Sequence, residues 1–229
     1  DFLVGGDSHV EALFAGLREL ADSHSLSFKL ITEGTCGLFS VEKLRLDDQS
    51  CELARVEFMQ EMANADLVFL GQRWWVFQYA YDMDEKAFSL LVIDHLIKLI
   101  EKTGFNGKLI LIGQMPEMPG YGGVYDCLSR FEYMKKTDCS KSPIFYDSLQ
   151  RNKAINRFLA DVINERGLSK QIVFINPFEA LCNSENCNQI IEPIGILYAD
   201  SNHLTESGST FFIEFFKDLI LGELRDIGH

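Results

Sequence analysis

The sequence contains no apolar run long enough to cross a bilayer. Its most apolar helix-like stretches, near Phe88–Ile100 and Phe211–Leu221, are broken by Asp94, Lys98, Glu214, Lys217 and Asp218. Basic residues are scarce: 21 Lys and Arg against 34 Asp and Glu leave a net charge of −13 over 229 residues. Such an excess of acid repels phosphate backbones and anionic headgroups, so nucleic acid and membrane surfaces are not expected partners. No C-x-x-C occurs, and no histidine is spaced around a cysteine as a zinc ligand, so no metal site is expected. No linker, repeat or low-complexity segment divides the chain, and one domain over residues 1–229 is expected. A signal peptide is also lacking. The chain begins abruptly on a strand, as a mature or excised domain would, so the compartment must be read from other features.

What is present is an ordinary globular composition, 47% hydrophobic and 24% charged. There are six cysteines, Cys36, Cys51, Cys127, Cys139, Cys182 and Cys187, grouped in three local pairs. An even number so grouped suggests disulfides and an oxidising compartment. The expected bridges are Cys36–Cys51, Cys127–Cys139 and Cys182–Cys187, although sequence alone does not fix connectivity. Six buried thiols in a cytosolic enzyme is the competing reading. It is disfavoured because each pair closes a polar, loop-like segment where a free thiol would be exposed.

Strand and helix signals alternate along the chain. Phe2–Val4, Ser27–Ile31, Ala65–Leu70, Lys108–Gly113 and Gln171–Asn176 read as strands, with short strand-like pieces in Gln189–Ala199. Helical spacing of apolar residues runs through Val10–Ala21, Cys51–Met62, Lys86–Lys102, Ser148–Arg166 and Thr205–Leu221. Glu33–Cys51, Met115–Ser148 and Asn176–Gln189 read as irregular. "ADLVFL" and "KLILIG" are uniformly apolar, as strands buried on both faces are. The fold class expected is α/β, a three-layer α/β/α sandwich with a mainly parallel sheet. Sites in such sheets lie at the carboxyl ends of the strands, which places Ser8, Gly71–Trp75 and Gln114–Pro116 on one rim.

Two short motifs carry chemistry. In "VGGDSHV", Ser8 stands where the first strand hands over to the first helix, so its N–H points outward at a helix start and glycines allow close approach. A serine needs a base to take its proton before it is a nucleophile. "DSNH" supplies one: Asp200 can orient one nitrogen of His203 and leave the other for a serine proton. Each motif alone has a plain structural reading, a helix cap for Ser8 and a surface turn for Asp200 and His203. His9 is expected to support the first turn rather than act as a base. His24, His95 and His229 read as helix or terminal residues. A metallophosphatase reading of "GD-H" lacks the further His and Asp clusters that hold its metals.

A serine near the amino end of an α/β chain, with D-x-x-H before its last helix, resembles the SGNH (GDSL-like) hydrolase family, whose fold is flavodoxin-like. "VGGDSHVEAL", "GQRWW", "LILIGQMPEMP", the later "LC…C" and "ILYADSNHLTESGS" narrow the likeness. They resemble the extracytoplasmic SGNH domain attached to membrane-bound acyltransferases of acyltransferase family 3, from Phe2 to about Phe212. That resemblance implies O-acetylation of a cell-surface polysaccharide such as lipopolysaccharide O-antigen. It implies a serine triad of Ser8, His203 and Asp200, and no cofactor in this domain. Acetyl-CoA is then the ultimate donor, used by an N-terminal transmembrane domain. The implied location is periplasmic, tethered to the inner membrane. A secreted carbohydrate O-acetylesterase and a non-catalytic glycan-binding domain are the rival functions.

The resemblance also marks where the oxyanion donors belong. The wider family uses a glycine of its second block and an asparagine of its third. Gly37 in "TCGLF" is the expected glycine, with Gly34 competing. The third block reads Gly71-Gln72-Arg73-Trp74, without asparagine. Gln72 is a candidate hydrogen-bond donor, and Arg73 a candidate for the oxyanion or a sugar, or for a structural salt bridge. Trp74, Trp75 and Tyr79 are candidate sugar-stacking faces or core aromatics.

Overall fold

The computed structural model describes residues 2–118, 123–129, 139–143 and 147–227. The elements in chain order are β1 (Phe2–Gly6), α1 (Ser8–Glu11), α2 (Phe14–His24), β2 (Phe28–Thr32), α3 (Gln49–Met62), β3 (Leu67–Gly71) and α4 (Trp74–Tyr81). They continue with α5 (Glu85–Thr103), β4 (Lys108–Ile112), α6 (Gly123–Leu128), β5 (Lys141–Pro143), α7 (Asp147–Glu165) and β6 (Ile172–Ile175). The last are α8 (Pro177–Leu181), β7 (Asn186–Asn188), β8 (Ile190–Ile191), β9 (Gly195–Ile196), α9 (Glu206–Phe215) and α10 (Lys217–Ile227).

Five strands form one parallel sheet in the order β2-β1-β3-β4-β6. Alternate side chains feed two cores. Leu3, Val68, Leu70, Leu109 and Leu111 pack with α3, α4, α5 and α7. Phe2, Val4, Leu67, Phe69, Ile110 and Ile112 pack with α2, α8, α9 and α10. Both faces of these strands are dry, which is why their sequences are apolar without alternation. Each such fully buried large side chain contributes about 1.5–3 kcal/mol. The three-layer α/β/α sandwich expected from the sequence is the observed architecture.

Helix ends follow their local chemistry. Asp48 and Asp84 cap α3 and α5 through their carboxylates, and Gly104 ends α5 in the left-handed region at φ +67°. Two expected helices are each broken in two. The first splits at Ala12–Leu13, so that α1 is a single turn behind Ser8. The last splits at Phe216. The sequence reading missed α4 altogether, and it passed over α8, which Asn176 caps and Pro177 opens. Part of the segment read as irregular between Met115 and Ser148 falls outside the described residues, but α6 and β5 lie within it.

The three expected disulfides are present, Cys36–Cys51, Cys127–Cys139 and Cys182–Cys187. The first closes the long loop between β2 and α3. Inside that loop, buried Asp47 accepts the N–H groups of Gly37 (2.9 Å) and Leu44 (2.6 Å) and pairs with buried Arg55. Between α2 and α9 the backbones nearly touch. A Cβ on Gly16 would lie 2.4 Å from the Ser209 carbonyl oxygen, and Gly16 N–H donates to Ser209 Oγ at 2.9 Å. That contact seats α9, and with it the loop that precedes it, against the start of the chain.

Candidate active site

Four segments meet at the carboxyl end of the sheet: the β1–α1 turn, the β3–α4 turn, the segment after β4, and the loop before α9. The first turn is tight. Gly6 has φ +157°, and a Cβ there would sit 2.1 Å from the Gly71 carbonyl oxygen. Asp7 then caps α1, its Oδ1 accepting His9 N–H at 3.0 Å. Its Oδ2 accepts Arg73 N–H at 2.8 Å. One carboxylate thus joins the turns of β1 and β3. Asp7 is 2% exposed, and burial pushes its carboxyl up to about 6, against the two N–H bonds and the nearby His203 and Arg73.

Ser8 opens α1, where a helix N–H has no acceptor in its own helix. His203 Nε2 lies 2.9 Å from Ser8 Oγ, and His203 Nδ1 lies 2.7 Å from Asp200 Oδ2. Asp200 Oδ1 accepts the N–H groups of Asn202 (2.7 Å) and His203 (2.8 Å), which closes the turn carrying the imidazole. Burial raises Asp200, but the Asn202 N–H, the His203 ring and the His203 N–H outweigh it and hold the carboxyl below its ordinary range. An anionic Asp200 fixes the proton on Nδ1 and leaves the Nε2 lone pair facing Ser8 Oγ–H.

His9 is not aimed at the serine. Its Nε2 lies 3.1 Å from Asn202 Oδ1, and its ring stands edge-on to His203 with centroids 5.1 Å apart. Burial, with the nearby His203 and Arg73, pushes His9 down to about 3 against the Asn202 bond and Asp200. A neutral His9 therefore braces the Asp200–His203 turn with its side chain, rather than the first turn as the sequence suggested.

The segment after β4 braces the same turn from the other side. Asn156 of α7 pairs with Gln114 twice, accepting its N–H at 2.6 Å and donating to its carbonyl at 2.9 Å. Gln114 Oε1 accepts Trp75 N–H at 3.0 Å, and Met118 N–H donates to Ser201 O at 2.7 Å. Glu117 is buried and accepts from Arg73 through Nε (2.7 Å) and one terminal nitrogen (3.2 Å), and from Trp75 Nε1 (2.5 Å). Tyr198 lies fully buried nearby, and burial with the Glu117 charge drives its hydroxyl well above its usual range.

One sequence expectation needs correction, and two alternatives left open are decided by the geometry. The Gly37 N–H is bound to Asp47, so it is not free for an oxyanion. Arg73 commits its backbone N–H to Asp7 and its guanidinium to Glu117, which gives it the structural salt bridge rather than an open oxyanion contact. Trp74 is fully buried, with Nε1 donating to Ile112 O at 2.9 Å, so it offers no face to a sugar. Gln72 is different. It is 1% exposed, and neither Nε2 nor Oε1 has a hydrogen-bond partner among the described residues. Sequence reasoning missed Glu117 and Asn156, which lie 44 and 42 positions from their partners. The only signal available was the position of "QMPEMP" directly after a buried strand.

Among the described residues the one group with metal-ligand spacing is Cys36, Asp47 and Cys51, and its cysteines are joined in a disulfide. No helix among the described residues is long and apolar enough to cross a membrane.

Known proteins share this architecture. The periplasmic domain of the lipopolysaccharide acetyltransferase of Salmonella ser. Paratyphi A matches with TM-score 0.69 and 22% identity, over 96% of this chain and 83% of that one. A carbohydrate acetylesterase family member from Sinorhizobium meliloti matches with TM-score 0.58 and 10% identity, over 98% and 99%. The aryl esterase of M. smegmatis matches with TM-score 0.56 and 12% identity, over 97% and 98%. At these identities the likeness is one of fold. No curated protein sequence matches the chain. The family model for the SGNH domain fused to AT3 domains matches residues 1–218, and the chain belongs to that family.

Proposed function

We propose that this domain is an O-acyltransferase that moves an acetyl group to a hydroxyl of a cell-surface polysaccharide through an acetyl-Ser8 intermediate. The observation that carries the reading is the continuous chain Ser8 Oγ, His203, Asp200 at 2.9 and 2.7 Å. Its chemistry runs in two halves. His203 Nε2 takes the Ser8 proton as Oγ attacks the acetyl carbonyl, and the same proton then goes to the departing group. The acceptor hydroxyl next gives its proton to Nε2 and attacks the acetyl-Ser8 carbonyl, and Ser8 leaves with that proton.

The developing oxyanion needs donors aimed before the reaction starts. Ser8 N–H at the head of α1 is one. Gln72 Nε2 is the second, since it is the third-block polar group whose hydrogen bonds are not already taken. Acetyl-CoA supplies the acetyl group to a membrane domain of the AT3 type in the full-length protein, and this domain works on the extracytoplasmic side. The fusion that names the family supports the membrane domain, and the periplasmic acetyltransferase domain of like fold supports the extracytoplasmic side.

The test uses the purified domain with an aryl acetate, with and without an oligosaccharide acceptor. The reading expects acetyl-oligosaccharide as the main product and none with Ser8→Ala. Release of free acetate as the main flux regardless of acceptor assigns the domain to carbohydrate O-acetylesterases instead.

A further inference from the structure

Beside the nucleophile the chain builds a platform that the acyl-transfer chemistry does not use. The guanidinium carbons of Arg73 and Arg151 lie over the Trp75 ring, 5.0 and 4.6 Å from its centroid. Glu117 holds the indole by its Nε1 at 2.5 Å and neutralises Arg73. Arg151, partly exposed on α7, has no such partner. Its Nε is buried without a hydrogen bond, and no ion pair to it occurs among the described residues. Tyr79 stands one turn along α4 from Trp75, on the same helix face and 79% exposed. Among the described residues the guanidinium groups of Arg73 and Arg151 have between them one carboxylate partner, Glu117, in a chain of net charge −13.

We propose that Trp75, Tyr79 and Arg151 form an acceptor subsite for an acidic sugar, with Arg151, held over the Trp75 ring, on its carboxylate and the exposed Tyr79 ring against the pyranose. A guanidinium with no ion pair among the described residues has the most to gain from a carboxylate, which accepts two parallel N–H bonds from one planar fork. The net acid charge of the chain repels polyanions in general, so a local positive spot selects rather than merely attracts. The subsite adjoins the reaction: Arg73, stacked on the same ring, bonds through its backbone to Asp7, the residue before Ser8. The inference rests on the glycan-acceptor reading above, but its test reads binding rather than turnover.

The probes are a short oligogalacturonide and the same oligosaccharide with its carboxyl groups reduced. Binding of each is measured by calorimetry on the native domain, Ser8→Ala, Arg151→Gln and Arg151→Lys. The subsite predicts that native and Ser8→Ala domains bind the acidic form at least tenfold more tightly than the reduced form. In Arg151→Gln the ratio falls toward one, and Arg151→Lys restores part of it. A folding defect lowers both affinities and leaves their ratio alone, so the ratio isolates the charge. Equal binding of the two probes by the native domain, or an unchanged ratio in Arg151→Gln, overturns the subsite. Aryl acetate turnover surviving in Ser8→Ala overturns the acyl-serine reading and leaves the binding ratio to decide the subsite separately.

Discussion

Asp7→Asn probes the most heavily loaded side chain beside the nucleophile. Asp7 is buried, and its carboxyl is pushed from 3.8 up to about 6. A raised acid pKa means that the folded state disfavours the ionised form. The stability linked to Asp7 is therefore full below pH 3.8 and is lost as pH rises through 6, about 3 kcal/mol in all at 1.36 kcal/mol per unit. His9 runs the other way. Its pKa drops from 6.5 to about 3, so its contribution is full above pH 6.5 and is lost as pH falls toward 3, about 5 kcal/mol in all. Between pH 4 and 6 the two slopes oppose each other and nearly cancel. Asn keeps the cap on α1 but cannot titrate. Urea unfolding of both proteins at fixed salt, from pH 6.5 to 4, gives the stability difference in which all other titrations drop out. Native minus Asp7→Asn is expected to grow by about 2 kcal/mol as the pH falls over that range, since the full difference is reached only below pH 3.8. A difference that stays flat, or shrinks on acidification, refutes the assignment of a buried, ionisable Asp7 at this turn.

Other expectations concern the site and the loop that flanks it. Gln72→Leu removes a buried amide with no partner, so the melting temperature should rise while kcat on an aryl acetate drops about 100- to 1000-fold; an unchanged kcat would falsify the oxyanion role. Arg55→Met leaves Asp47 buried and unpaired, which should cost about 3–5 kcal/mol in urea unfolding. A loss under 1 kcal/mol would mean that Asp47 is held by its two N–H bonds alone. Cys36→Ala with Cys51→Ala opens a loop closed across 15 positions and should cost about 3 kcal/mol by chain entropy. Reduction of the native domain should then weaken it by at least as much, which unfolding with and without dithiothreitol measures.

The sheet and the residues meeting at its rim were legible because local pattern and global fold agree there. Strands between two dry faces must be apolar throughout, and Ser8, Asp200 and His203 sit where strand ends and a helix start put them. The site's middle was not legible. Gly37 looks available in sequence, but Asp47, ten positions on, takes its N–H. Arg73 looks like a free cation until Glu117 folds in from beyond β4. The helix α4 escaped notice because "WWVFQYAY" is apolar on every side and lacks a polar cap, so no period stands out. No glycine or proline stands at the breaks at Ala12–Leu13 and Phe216, so the sequence does not announce them.

The central claim is that Ser8 carries the acyl group. Brief incubation of the purified domain with an aryl acetate, acid quench and mass spectrometry of its peptides measures this directly. The account predicts one acetyl group on the peptide holding Ser8. That group should vanish when an acceptor oligosaccharide is added before the quench, and it should be missing in Ser8→Ala and His203→Ala. Turnover of the ester with no acetyl group on that peptide, or acetylation that persists in His203→Ala at the native rate, contradicts it.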